Sequence, residues 1–167
     1  MLLWGCAPTF DAPCTSDVGY DGATDDAVAA LDRANCSRQV MGLKPGSLDP
    51  LLDDATQAHA DYMATHGILD HQEVDGNAGF TGVWVWDRLE AAGYPLEPGT
   101  SWSEVVAEGE GPVGSVDRWL NSVYHRIPFT TPSWIGVGFG QAEVYSSMTF
   151  VAEYPAGRRV AVLGEDG

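Results

Sequence analysis

The chain has 167 residues and a mass of 17.8 kDa, enough for one domain that buries its own core. Its 24 acidic residues against 8 basic ones give a net charge of −16, which excludes the basic stripe that nucleic acid requires and disfavours an anionic membrane surface. An apolar fraction of 44% argues against disorder, and no uninterrupted run of about 20 apolar residues supplies a membrane-spanning helix.

Residues 1–23 are rich in Pro, Gly, Asp and Thr without apolar periodicity, and read as an arm or linker ahead of a domain at residues 24–167. Thr24 or Asp25 offers an N-cap, and Val28, Leu31, Val40 and Leu43 mark the apolar stripe of a first helix ending near Gly42. Pro45-Gly46 is a turn, and Asp49-Pro50 opens a second helix with proline at its first position. Leu51, Leu52, Ala55, Ala58, Tyr62 and Met63 recur along that helix at spacings of three and four, and Gly67 stops it. A glycine-bearing irregular stretch, residues 71–82, leads to a third helix at 85–92. Residues 102–107 alternate as a strand, and 113–122 form a fourth helix with Val116, Trp119 and Leu120 inward. Residues 134–140 and 145–154 are predicted as antiparallel strands, with 158–163 as a further one. Helices around a mostly antiparallel sheet make an α+β domain.

Cys6, Cys14 and Cys36 all precede residue 40, and none forms the CxxC pair of a structural zinc site. Leu2-Leu3-Trp4-Gly5-Cys6 resembles the end of a bacterial lipoprotein signal, where the cysteine is acylated. That resemblance implies a lipid anchor at Cys6, a Cys14–Cys36 disulfide and an extracytoplasmic location; three ordinary thiols in a cytoplasmic protein are the alternative.

Of the four histidines, His59 falls among Ala55, Ala58 and Tyr62 and reads as packed or capping. His66, beside Gly67, suits the negative end of the helix dipole. His71 and His125 instead follow helices and enter irregular segments, where scaffolds place functional side chains. Ser101 and Ser103 lack a nucleophile motif and read as polar strand positions. Trp84, Trp86 and Trp102 are core aromatics or the lining of a lipid or carbohydrate groove, and Phe80 is a candidate rim aromatic.

Several segments in order carry a family resemblance. Ala58-His59-Ala60-Asp61-Tyr62-Met63-Ala64, Gly67, His71, Asp87-Arg88-Leu89 and Ala91-Ala92-Gly93-Tyr94 resemble bacterial members of the CAP superfamily, also called SCP-like extracellular domains. Trp119-Leu120, Ser122 and His125-Arg126 are similar to a later family motif, and Ile135-Gly136-Val137-Gly138 to its closing strand. The resemblance spans residues 26–154 and implies a three-layer α-β-α sandwich around a cleft lined by two histidines and one or two glutamates.

By position, the histidines are His71 and His125 and the first glutamate is Glu104, although Ser103 and Val105 depart from the family's Gly-Glu-Asn strand. The second family glutamate has no counterpart, since Asn121 and Ser122 occupy its stretch. Glu73 is either its substitute from the loop or a solvated rim acid. His71, His125 and Glu104 are therefore the expected ligands of a divalent metal such as Zn²⁺, with an open position for water. The expected function is a monomeric, extracytoplasmic binding module for a metal, a lipid or an envelope component. The alternative is a metal-assisted hydrolase using the same cleft.

Overall fold

The computed structural model describes residues 19–153, in the order α1 (Asp25–Val40), α2 (Pro50–His66), α3 (Val85–Ala91), β1 (Thr100–Glu108), α4 (Pro112–Asn121), α5 (Arg126–Phe129), β2 (Trp134–Ala142) and β3 (Tyr145–Glu153). The strands form one antiparallel sheet in the order β1-β3-β2, with Glu104 opposite Thr149 and Val137 opposite Phe150. The strand expected at 158–163, Cys6 and Cys14 lie outside the described residues.

Alternation along β1 sends odd and even residues to opposite faces of the sheet. Val105 and Ala107 join Val116 and Trp119 of α4, Ala27, Ala30, Leu31 and Ala34 of α1, and Phe129, Met148 and Phe150 in one core. Trp102, facing the other way, packs with Leu52 and Ala55 of α2, Val85 and Leu89 of α3, and Val151. Two apolar cores on either side of one sheet make the expected three-layer α-β-α sandwich.

The caps follow the sequence closely. Thr24 accepts from the Ala27 amide at 3.1 Å, Asp49 from the Leu51 amide at 2.9 Å, and Gly67 closes α2 with φ 60. The α1 stripe differs from its reading at the C-terminal end. Val40 is 55% exposed, and Arg38 turns inward in its place. Arg38 donates to the carbonyls of Lys44, Phe129 and Thr131 and lies 3.8 Å above the Trp134 ring, a set of partners that an aliphatic side chain has no means to satisfy. Burial lowers its guanidinium to about 10. The single turn α5, unanticipated from the sequence, carries Phe129 into this core against Trp119 and Phe150.

Strand β2 is a sheet edge, and α2 covers it. Gly138 and Gly140 lie so close to the α2 backbone that a Cβ at either would collide with Leu52 or Gln57. Asp53 accepts from the Phe139 amide at 2.8 Å, while Gln57 both accepts from the Gln141 amide and donates to its carbonyl. Side chains of a helix thus satisfy edge groups that would otherwise pair with another strand. Burial pushes the Asp53 carboxyl up to about 6.

Candidate functional site

The left-handed Gly67 turns the chain away from α2 into the segment that carries His71. Three anchors hold this segment. His66 donates from Nε2 to the Ala78 carbonyl at 2.8 Å. The Tyr62 hydroxyl accepts from the Val74 amide and the Asn77 side chain, both at 2.9 Å. Asp70 Oδ1 accepts from the Gln72 amide at 2.9 Å. His66 therefore tethers the loop by a specific hydrogen bond, a tertiary role additional to its place at the helix end.

His71 is half-exposed, and its Nδ1 donates to Glu104 Oε2 at 3.0 Å. A carboxylate only accepts, so this bond fixes the ring and leaves Nε2 as the lone-pair nitrogen of the neutral imidazole. Glu104 projects from the even face of β1 and is almost wholly buried. Its second oxygen accepts from Arg88 Nη2 at 2.6 Å. Burial alone would raise the Glu104 carboxyl; the His71 hydrogen bond and the neighbouring Arg88 and His59 outweigh it and hold the group below the ordinary carboxylate range.

Arg88, on α3, is itself buried and also donates to the His71 carbonyl at 3.1 Å and weakly to that of Val83. One guanidinium thereby joins the histidine loop, α3 and β1. Behind it, His59 presents Nδ1 to Glu73 Oε1 at 2.9 Å and Nε2 to the Asp70 carbonyl at 3.0 Å, an arrangement that the doubly protonated ring satisfies in full. Glu73 accepts further from the Thr81 amide and hydroxyl and the Gly82 amide. Burial would raise its carboxyl too, but the His59 and Thr81 hydrogen bonds and Arg88 hold it low.

Glu73 is thus neither a solvated rim acid nor a cleft ligand. It is 1% exposed and ties the two ends of the 71–82 loop together from beneath. The loop's own amides fill its acceptor sites, which is why it turns inward.

His125 follows α4, and its Nδ1 pairs with Ser122 Oγ at 3.0 Å. His71 and His125 line one cleft of about 500 Å³, together with Leu69, Asp70, Val106, Ala107, Arg118, Trp119 and Ser122. The cleft opens beside the free edge of β1, where the loop after α2 meets the end of α4. The two histidines are therefore brought together.

Glu104 does not join them as a third ligand facing the cleft. Arg88 and His71 occupy its two oxygens, and among the described residues no group of three His, Cys, Asp or Glu side chains stands together in a metal-holding arrangement. The donor set does not fit a resident three-ligand metal, and Glu104 supports an imidazole instead.

The aromatic residues singled out from sequence lie elsewhere. Trp84 and Trp86 stack at 5.3 Å, Trp86 meets Trp102 at 6.4 Å, and neither they nor Phe80 line the histidine cleft. Ser101 leans on the Ala152 carbonyl at 3.4 Å. Arg88 and His59 are the supporting residues that sequence reasoning did not single out for the site. A signal for Arg88 existed: it falls on the inward stripe Val85, Arg88, Leu89, Ala92 in a chain with few cations, and an arginine there implies a buried carboxylate.

A family model described as the cysteine-rich secretory protein (CAP) family matches residues 31–154. The chain belongs to the CAP family. It is 28% identical over 120 residues to the uncharacterized protein YkwD of Bacillus subtilis (strain 168), covering 71% of this chain and 43% of the relative. The CAP chain described here thus spans less than half of that relative's length. Among solved structures it resembles an extracellular protein containing an SCP domain from Bacillus anthracis str. Ames, with a TM-score of 0.68 at 20% identity over 77% of this chain and 40% of the other. An outer surface protein of Borrelia burgdorferi is also similar, with a TM-score of 0.58 at 15% identity over 74% of this chain and 89% of that one. At these identities the structures speak for the fold. No helix among the described residues is long and apolar enough to cross a membrane.

Proposed function

We propose that this CAP domain is an extracytoplasmic binding module, and that its ligand sits in the cleft between His71 and His125. The observation that supports this reading is the preorganised His71. Its ring is fixed by a buried carboxylate that a buried guanidinium holds in turn, while its outer face opens into a cavity shared with His125. Such ordering of a half-exposed imidazole stores its entropy cost in the folded domain, so a ligand meets a site already arranged. Extracellular and outer surface proteins share the fold, which supports placing this domain outside the cytoplasm. Acylation of Cys6 would hold it at the envelope.

Zn²⁺ serves as a probe of convergence, because a borderline cation seeks two imidazoles at once. In an NMR titration the His71 and His125 ring signals should move together, and the thermal shift should vanish in the His71→Ala/His125→Ala double variant. Movement of His66 alone, or an equal thermal shift in the variant, would remove the cleft from consideration.

A second reading, hydrolysis, draws on the Glu104–His71 pair, which resembles the orienter and base of an acid–base site. It requires turnover of an ester or peptide substrate that disappears in a folded His71→Gln variant. Turnover unchanged by that substitution would sink it.

A further inference from the structure

A cavity of about 560 Å³ opens where the chain leaves α1 and where it enters β2, and it shares no residue with the histidine cleft. The segment 42–46 on one side of it is held firmly. The Leu43 amide donates to the Arg38 carbonyl at 2.9 Å, and Asn35 exchanges two hydrogen bonds with Gly46, at 2.8 and 3.0 Å. A Cβ on Gly46 would stand 2.4 Å from the Trp134 ring, so this turn is pressed against the start of β2. Leu43, Pro45, Pro132, Trp134 and Ile135 give the cavity apolar walls, and Arg38, Lys44 and Glu153 are its charged members.

Neither cation has a carboxylate partner among the described residues. Arg38 is wholly buried, yet its guanidinium meets only the face of Trp134 and the carbonyls of Lys44 at 2.8 Å, Phe129 at 2.9 Å, Thr131 at 2.7 Å and Pro132 at 3.4 Å. These acceptors leave one of its five N–H groups, on Nη2, without a protein partner among the described residues. Arg88, equally buried, instead sits between two carboxylates, Glu104 at 2.6 Å and Glu73 at 3.9 Å. Lys44 is the only lysine in the chain, and its side chain is exposed. Two uncompensated cations on one cavity, in a chain with 24 acidic residues, mark a place that favours negative charge.

We infer that this cavity binds a small organic carboxylate, its head held by the Lys44 ammonium over the wall that Arg38 charges, and its apolar body laid against Pro132, Trp134 and Ile135. Lys44 supplies the direct charge-assisted hydrogen bond, because its side chain reaches solvent and that of Arg38 does not. Arg38 acts through the wall, where a buried charge is screened little by water or salt. One negative charge fits better than two. Glu153 lines the same cavity and would repel a dianion such as phosphate, while a neutral molecule gains nothing from either cation. Apolar walls with a few charged groups are the usual make-up of a site for a small organic molecule.

The test is an NMR titration of the full chain with benzoate, its neutral counterpart benzyl alcohol, and inorganic phosphate. Benzoate should move the Trp134 indole N–H, which is bonded to the Pro128 carbonyl, and the Lys44 amide, and leave the Trp119 indole in place. Benzyl alcohol and phosphate should each bind several-fold more weakly. Lys44 and Glu153 are exposed, so Lys44→Gln and Glu153→Gln keep the fold. Lys44→Gln should weaken benzoate several-fold and leave a smaller preference over benzyl alcohol, the part due to Arg38. Glu153→Gln should tighten benzoate. Equal binding of benzoate and benzyl alcohol, or no effect of Lys44→Gln, would overturn the proposal, and loss of all preference in that variant would deny Arg38 its part. Weaker benzoate binding in Glu153→Gln would point to a zwitterionic ligand, and tighter binding of phosphate than of benzoate to a phosphate site, either of which overturns it. So would a response of the His71 ring without Trp134, which puts the anion in the histidine cleft.

Discussion

Replacing Arg88 with methionine tests whether the cleft depends on one buried cation. The substitution keeps an unbranched apolar stem but removes the donors to Glu104, to the His71 carbonyl and to the Val83 carbonyl. Glu104 then keeps His71 as its near donor, with His59 Nε2 at 3.8 Å, while its own side chain is almost wholly buried. Breaking a buried ion pair by removing one partner typically costs about 3–5 kcal/mol, because a charge is left without compensation. The pH dependence identifies the cause. In the native protein Glu104 titrates below its ordinary value of 4.5, so its stabilisation is present above that value and is lost as pH falls through the folded pKa. Without Arg88, burial dominates and the carboxyl rises, so the variant gains relative stability on acidification. Urea unfolding at about pH 7.5 and about pH 4 should therefore show a deficit near 3–5 kcal/mol at the higher pH and a clearly smaller one at the lower. A deficit that is the same at both values would refute the ion-pair account and leave only lost packing.

Asp53→Asn should behave in the opposite sense. Its carboxyl is raised from 3.8 to about 6, so the native protein is favoured below the lower value and penalised as pH rises through the upper one. At roughly 1.4 kcal/mol per pH unit, the variant should gain up to about 3 kcal/mol on wild type between about pH 4 and pH 7.5, and a flat difference across urea titrations would contradict this. Gly138→Ala should lower the urea midpoint by the equivalent of about 1–3 kcal/mol or more, since α2 has no room to retreat from β2; an unchanged midpoint would show that the helix yields. Glu104→Gln should lower stability, since it takes the near carboxylate from buried Arg88, and in the folded variant it should loosen the His71 ring, seen as line broadening and faster Nδ1–H exchange; an unaltered His71 signal would deny Glu104 its orienting role.

Much of the fold was legible along the chain because its causes are local. Thr24, Asp49, Pro50 and Gly67 act within one helical turn of themselves, and they bound α1 and α2 at the residues expected. The alternation of β1 and the glycines of β2 likewise express short-range geometry. Single-turn α5 is not legible in the sequence because four residues carry no periodicity, and Val40, expected inward, stands exposed because Arg38 satisfies carbonyls that come together only in three dimensions.

The site divides in the same way. Position after a helix marked His71 and His125, and the family resemblance added Glu104; the structure gathers the histidines into one cleft and makes Glu104 a neighbour of His71. Whether a carboxylate faces a ligand or supports another side chain depends on which donors fill its oxygens, and those donors come from residues distant in the chain. Arg88 is 16 residues from Glu104, and His59 is 14 from Glu73. Local sequence determined the helices, their ends and the candidate histidines. Long-range packing alone decided that Glu73 lies sealed beneath the loop, that Glu104 serves His71, and that Arg88 joins them, because burial and hydrogen-bond partnership are properties of the assembled layers.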